Sequence, residues 1–109
     1  MGYDLHITRA RRWNENEGRH IPALEWLDVC DKDRDLVADP EFGPYAAKWT
    51  GSDADGWLDW QDGNVYTTDP DRPMVAKMLR FAKQLEARVQ GDGGEWYESP
   101  EQWTPEQTS

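Results

Sequence analysis

Trp57-Leu58-Asp59-Trp60-Gln61-Asp62-Gly63-Asn64-Val65-Tyr66-Thr67-Thr68 says more about the architecture than any other part of this chain. Two runs of strand-forming residues flank an Asp-Gly pair, and both central residues of a two-residue hairpin turn need positive φ. Asp62 and Gly63 therefore predict a type I′ β-hairpin. The turn also sets the register: Gln61 faces Asn64, Trp60 faces Val65, Asp59 faces Tyr66 and Leu58 faces Thr67. Side chains alternate along a strand, so Leu58, Trp60, Val65 and Thr67 share the face that belongs against a core. Trp57, Asp59, Gln61 and Tyr66 share the other.

Upstream, Tyr3-Asp4-Leu5-His6-Ile7-Thr8 alternates in the same way and reads as a first strand. Tyr3, Leu5 and Ile7 fall on one of its faces; Asp4, His6 and Thr8 fall on the other. Pro22 opens a helix to about Cys30 or Asp31, with Ala23, Trp26, Leu27 and Cys30 facing inward. A charged run closes it, and Pro40, Gly43 and Pro44 mark an irregular segment before a short strand over Tyr45 to Trp49.

Downstream of the hairpin, Asp69 or Asp71 caps a major helix. Val75, Met78, Ala82, Leu85 and Val89 have the spacing of a buried stripe, and the helix ends near Leu85 to Ala87. Arg88-Val89-Gln90, the turn Gly91-Asp92-Gly93-Gly94 and Glu95-Trp96-Tyr97-Glu98 form a second hairpin. The expected fold class is α+β: a single mostly antiparallel sheet with two helices packed on one face. Residues 1–98 make the domain. Residues 99–109 make a flexible C-terminal tail, with Trp103 tacked onto the body.

Charge and aromatic content set the functional limits. The chain of 109 residues has 12 Lys and Arg against 22 Asp and Glu, a formal charge of −10, and seven tryptophans. A strongly negative field rejects nucleic acid phosphates and attracts cationic partners, and tryptophan is among the strongest anchors at binding surfaces. Arg9, Arg11 and Arg12 form too small a basic patch to reverse that, and intramolecular pairing is their expected use. No apolar run approaches the ~20 residues of a membrane helix, and no secretory signal is visible. With the single Cys30, a reduced, cytoplasmic location follows.

No spacing assembles a catalytic machine. Asp31, Asp33, Asp35 and Asp39 match positions of a calcium loop, but Leu36 stands where glycine is needed and Phe42 where a bidentate Glu is needed. Asp53, Asp55, Asp59 and Asp62 gather near one end of the hairpin, where turn-forming and surface roles compete with magnesium or acid–base chemistry. His6, with Asp4 two residues before it, reads as a hydrogen-bonded structural imidazole ahead of a ligand or base. His20 has no obvious partner. Ser52, Ser99 and Ser109 lie in loops or the tail, Cys30 packs as a small apolar group, and the glycines at 91–94 lack phosphate-loop spacing. The expectation is a chain without catalytic residues, metal or cofactor.

Tyr3-Asp4-Leu5-His6-Ile7-Thr8-Arg9, Ile21 with Glu25-Trp26, Trp57-Leu58-Asp59-Trp60 with Asp62-Gly63-Asn64, and Val89-Gln90-Gly91-Asp92 with Gly94-Glu95 and Tyr97 together resemble a group of small uncharacterised bacterial proteins. The likeness spans nearly the whole chain through residue 98. It implies no catalytic residues. In size, charge and composition such proteins are similar in character to immunity proteins of polymorphic bacterial toxin systems, an analogy that implies a protein partner.

Two function classes follow. The first is a small acidic binding protein, monomer or homodimer, that neutralises a toxin domain by occluding a basic active site. Trp57, Asp59 and Tyr66, with Asp53 and Asp55 in the preceding loop, are its expected contact residues. The second is a small metal-dependent hydrolase using His6, Asp4 and the acidic loop, which predicts a concave pocket where those groups converge. An accessory homodimeric subunit is a third arrangement.

Overall fold

The computed structural model of the protein describes residues 2–51 and 56–104. Its elements are β1 (Asp4–Thr8), α1 (Ala23–Lys32), β2 (Leu36–Ala38), β3 (Ala47–Trp49), β4 (Gly56–Gln61), β5 (Asn64–Thr68), α2 (Arg72–Gln84), β6 (Arg88–Gly91) and β7 (Trp96–Tyr97), followed by a 3₁₀ turn at Pro100–Gln102. The strands form one seven-stranded sheet in the order β2-β3-β4-β5-β1-β6-β7. Every neighbouring pair is antiparallel. The fold is therefore α+β, as the pattern of elements predicts.

The β4–β5 hairpin has the expected register, with Asp59 opposite Tyr66, Trp60 opposite Val65 and Gln61 opposite Asn64. Its turn residues adopt φ of 51° at Asp62 and 87° at Gly63. Gly63 meets a second demand, because a Cβ there would come within 2.3 Å of the His20 ring. The chain's first strand inserts between the two hairpins, pairing with β5 on one side and β6 on the other.

Both helices cover the face carrying Leu5, Ile7, Leu58, Val65 and Val89, all fully buried in one cluster with Trp26, Val75, Met78 and Phe81. Trp26 and Phe81 join the helices edge to face, with ring centroids 5.7 Å apart at 83°. Such a pair adds about 0.5–1.5 kcal/mol beyond the area it buries. The Trp26 indole N–H donates to the carbonyl of Tyr45 at 2.9 Å, so its burial leaves no unsatisfied donor.

Three expectations need correction. The inward face of α1 is Trp26 and Val29, with Ala23, Leu27 and Cys30 only half-buried. The helix meets the sheet one position around from the expected stripe. A strand, β2, stands after the charged run at Asp31 to Asp35; it is three residues long and buries only Leu36, too little to show periodicity. The segment from Ser99 to Thr104 is built onto the body. Ser99 caps the 3₁₀ turn, and Trp103 is buried against Tyr3 and Tyr97. Of the two candidate caps for α2 the structure has Asp71, whose side chain accepts from the N–H of Met74.

Candidate functional site

With both helices on one side of the sheet, the even-numbered positions of β1 face the other way. Register then aligns one row of side chains straight across this open face: Asp59 opposite Tyr66, Tyr66 opposite His6, His6 opposite Gln90 and Gln90 opposite Trp96. Strand pairing alone brings residues of five strands, from three distant parts of the sequence, into line.

Aromatic rings form a second, overlapping row. Phe42 and Trp57 lie 5.0 Å apart, Trp57 and Tyr66 5.4 Å apart at 86°, Tyr66 and His6 6.5 Å apart, and His6 and Trp13 3.8 Å apart at 4°. Phe42 is 54% exposed, and Trp13, Trp57 and Tyr66 are half-buried. The row is thus open to solvent along most of its length.

The loop after β1 holds the Trp13 end. Gln90, 1% exposed, accepts from the Trp13 N–H at 2.7 Å and donates to the carbonyls of Arg11 at 3.0 Å and Gly94 at 3.1 Å. Asn64 donates to the Trp13 carbonyl at 2.7 Å and accepts from Asn16 at 3.2 Å. A buried amide with its hydrogen-bonding groups satisfied rigidifies what it touches. Trp13 is consequently fixed flat on His6, which is itself 5% exposed.

Electrostatics distinguishes the two ends. Burial pushes the Asp59 carboxyl above its ordinary range, and the hydrogen bond from the Trp60 N–H only partly offsets this. Burial first, then the charges of Asp59 and Asp4, raises the Tyr66 hydroxyl as well. Among the described residues no lysine or arginine pairs with Asp59 or lies over Tyr66 or Trp57. Lys48 stands opposite Trp57 in register but is exposed and makes no such contact. The opposite edge of the sheet is different, since Arg88 lies over the Trp96 ring at 3.9 Å.

Beside the row a cleft of about 340 Å³ opens, lined by Asp4, His6, Trp13, Asn64 and Tyr66 together with Asn14, Asn16, Gln61 and Asp62. Because a carboxylate only accepts, the His6 Nε2–H donates to Asp92 Oδ1 at 2.8 Å. Asp92 Oδ2 accepts from the Asp4 N–H at 2.9 Å, and Asp4 Oδ1 accepts from the Thr68 hydroxyl at 2.6 Å.

Of the residues singled out from sequence, Trp57, Asp59 and Tyr66 come together on the open face. Asp53 and Asp55 lie outside the described residues. Asp4 and His6 converge on the cleft, but the carboxylate that reaches His6 is Asp92, from the β6–β7 turn. Asp62 lines the cleft's other side. The calcium-like run is otherwise engaged: Asp33 pairs with Lys77 at 2.6 Å, linking α1 to α2. Arg9 pairs with Glu25 at 2.8 Å, an intramolecular use as expected. Burial, then Asp33, pushes the Cys30 thiol up to about 12, which leaves it protonated and a poor nucleophile. Trp13, Asn64, Gln90 and Asp92 carried no local signal, because their roles arise only when β6 and the first loop meet β1.

No protein-family model matches this chain, and comparison with curated proteins and with solved structures gives no match to either.

Proposed function

We propose that the open sheet face docks a protein partner through a cationic side chain, received by Asp59 and the rings of Trp57 and Tyr66. The observation carrying this reading is a half-buried carboxylate directly opposite a tyrosine in an exposed aromatic row, with no cation of its own chain upon it among the described residues. An isolated half-buried charge costs stability, and an arriving arginine or lysine supplies the missing counter-charge. Its stacking on an aromatic face adds about 0.5–2 kcal/mol. The remaining acidic surface steers such a partner in before contact.

The chain's small size and net charge of −10 fit a more specific form of this reading. In that form the partner is the basic domain of a bacterial toxin, which this protein neutralises as an immunity protein in the cytoplasm. A basic, phosphate-binding cleft presents arginines and lysines of the kind that, among the described residues, do not pair with Asp59.

Tryptophan fluorescence during titration with an arginine-rich peptide tests the docking reading. A saturable change, weakened by salt and lost in Trp57→Ala and Asp59→Asn, is the expected result; equal binding by both variants contradicts it. Growth protection tests the toxin form: cells expressing a basic toxin domain encoded beside this chain are rescued by the wild type and not by Asp59→Asn.

A further inference from the structure

We propose that Asp4, His6 and Asp92 form a binding site for a divalent first-row metal ion of the zinc class, at the edge of the cleft. Each residue offers one ligand atom, and these atoms lie within 4.8 Å of one another. Among the described residues this is the one grouping of three or more such side chains that converges so closely.

The geometry is near what an ion needs. Ligand bonds of about 2.0–2.2 Å place tetrahedral or octahedral donor atoms roughly 3 to 4 Å apart. The His6 to Asp92 distance of 2.8 Å lies just below that range. Metal binding at His6 Nε2 displaces the proton now donated to Asp92, which passes to Nδ1 of the ring, and a small opening of the pair admits the ion.

The residues around the three ligands favour this use. Imidazoles at metal centres are held by neighbours that fix the ring, and ligating carboxylates are themselves hydrogen-bonded. His6 is 5% exposed and fixed flat against Trp13, whose indole N–H donates to the Asp92 carbonyl at 3.3 Å. Asp4 Oδ1 accepts from the Thr68 hydroxyl, while Asp92 Oδ2 accepts from the Asp4 N–H and Asp92 Oδ1 from the His6 Nε2–H. Asp92 Oδ1 is thus already turned to the imidazole, and one Asp4 oxygen lies within 4.8 Å of the other two ligand atoms. One imidazole with two carboxylates suits zinc, whereas magnesium and calcium prefer all-oxygen shells. Asp4 and His6 both line the cleft, so the ion's remaining positions face it and are filled by water or by an oxygen of a ligand bound there.

This inference goes beyond the docking reading and does not depend on it. Asp92 takes no part in the aromatic row, and Asp59 takes no part in the metal site. Occupancy neutralises Asp4 and leaves Asp59 as the charge that receives the partner.

Calorimetry on the full chain, stripped with a chelator and titrated separately with zinc and magnesium, tests it. The expected result is one zinc per chain with micromolar affinity, at least tenfold tighter than magnesium. Asp92→Asn, at a turn position whose side chain is 34% exposed, weakens zinc at least tenfold while the metal-free circular dichroism spectrum stays unchanged. Asp4→Asn does the same, and Asp28→Asn on the outer face of α1 leaves binding intact. Cobalt as a substitute gives visible absorption bands that Asp92→Asn abolishes. Only weak binding of several ions per chain, a preference for magnesium, or zinc affinity unchanged in Asp92→Asn overturns the site.

Discussion

Asp59 and Tyr66 stand directly opposite each other on β4 and β5, on the sheet face that neither helix covers. Trp57 meets the same tyrosine edge-on at 5.4 Å. Among the described residues the carboxylate has lost part of its water without gaining a cation, and burial holds it above the ordinary carboxyl range. A charge in this condition weakens the free protein, and the proposed docking of a cationic partner would relieve it.

Asp59→Asn separates those two effects. A carboxyl whose folded pKa is raised binds its proton more readily folded than unfolded, so stability falls as pH rises through the titration and stays lower above it. Removing the charge at neutral pH therefore raises Tm. The gain is about 0.5 kcal/mol or less, the scale of surface substitutions, because solvent still screens the group. The same variant loses binding of a cationic partner. Thermal melts at pH 7 and at pH 3 check the sign: the difference between wild type and variant shrinks at the lower pH.

The Asp33 and Lys77 pair behaves in the opposite way. Burial pushes the Asp33 carboxyl up, but hydrogen bonds from Lys77 and from the N–H groups of Asp35 and Leu36 outweigh it, and the net shift is downward. A depressed folded pKa contributes stability above the unfolded value, and that stability is lost as pH falls through the folded value. Both side chains are 14% exposed. Lys77→Met leaves Asp33 without its cation and costs about 1–3 kcal/mol, somewhat less than a fully buried pair. Chemical denaturation at pH 7 measures the loss, which disappears in strongly acidic buffer.

Gln90→Leu tests how Trp13 is held. The change strips a partner from the Trp13 N–H and from the carbonyls of Arg11 and Gly94. Each buried group left unsatisfied costs about 1–3 kcal/mol, reduced where the loop opens to water. A total near 2–4 kcal/mol is expected, with a red shift of tryptophan emission as Trp13 leaves His6. An unchanged emission maximum contradicts this role.

Local chemistry made the hairpin legible. Asp62-Gly63 admits few turn types, and that turn alone placed Asp59 opposite Tyr66 and Trp57 on the outer face. Long periodic stretches were legible too, as in Val75, Met78 and Ala82 of α2. β2 was not, because three residues with one buried side chain carry no period. Trp103 sits in a segment of tail-like composition, yet a capping box and contacts with Tyr3 and Tyr97 fix it. Asp92 and Gln90 were hidden for a different reason. Their partners Asp4, His6 and Trp13 lie at the other end of the chain, and only the insertion of β1 between the hairpins brings them together.

Mapping amide shifts in an ¹⁵N-labelled sample during titration with an arginine-rich peptide locates the docking surface residue by residue. The account predicts saturable shifts concentrated at Trp57, Asp59 and Tyr66, absent in Asp59→Asn. Shifts centred on Asp28 and Asp31 of α1 and on Asp35 just beyond it would instead mean attraction to net charge alone, and the open sheet face would lose its claim as the binding site.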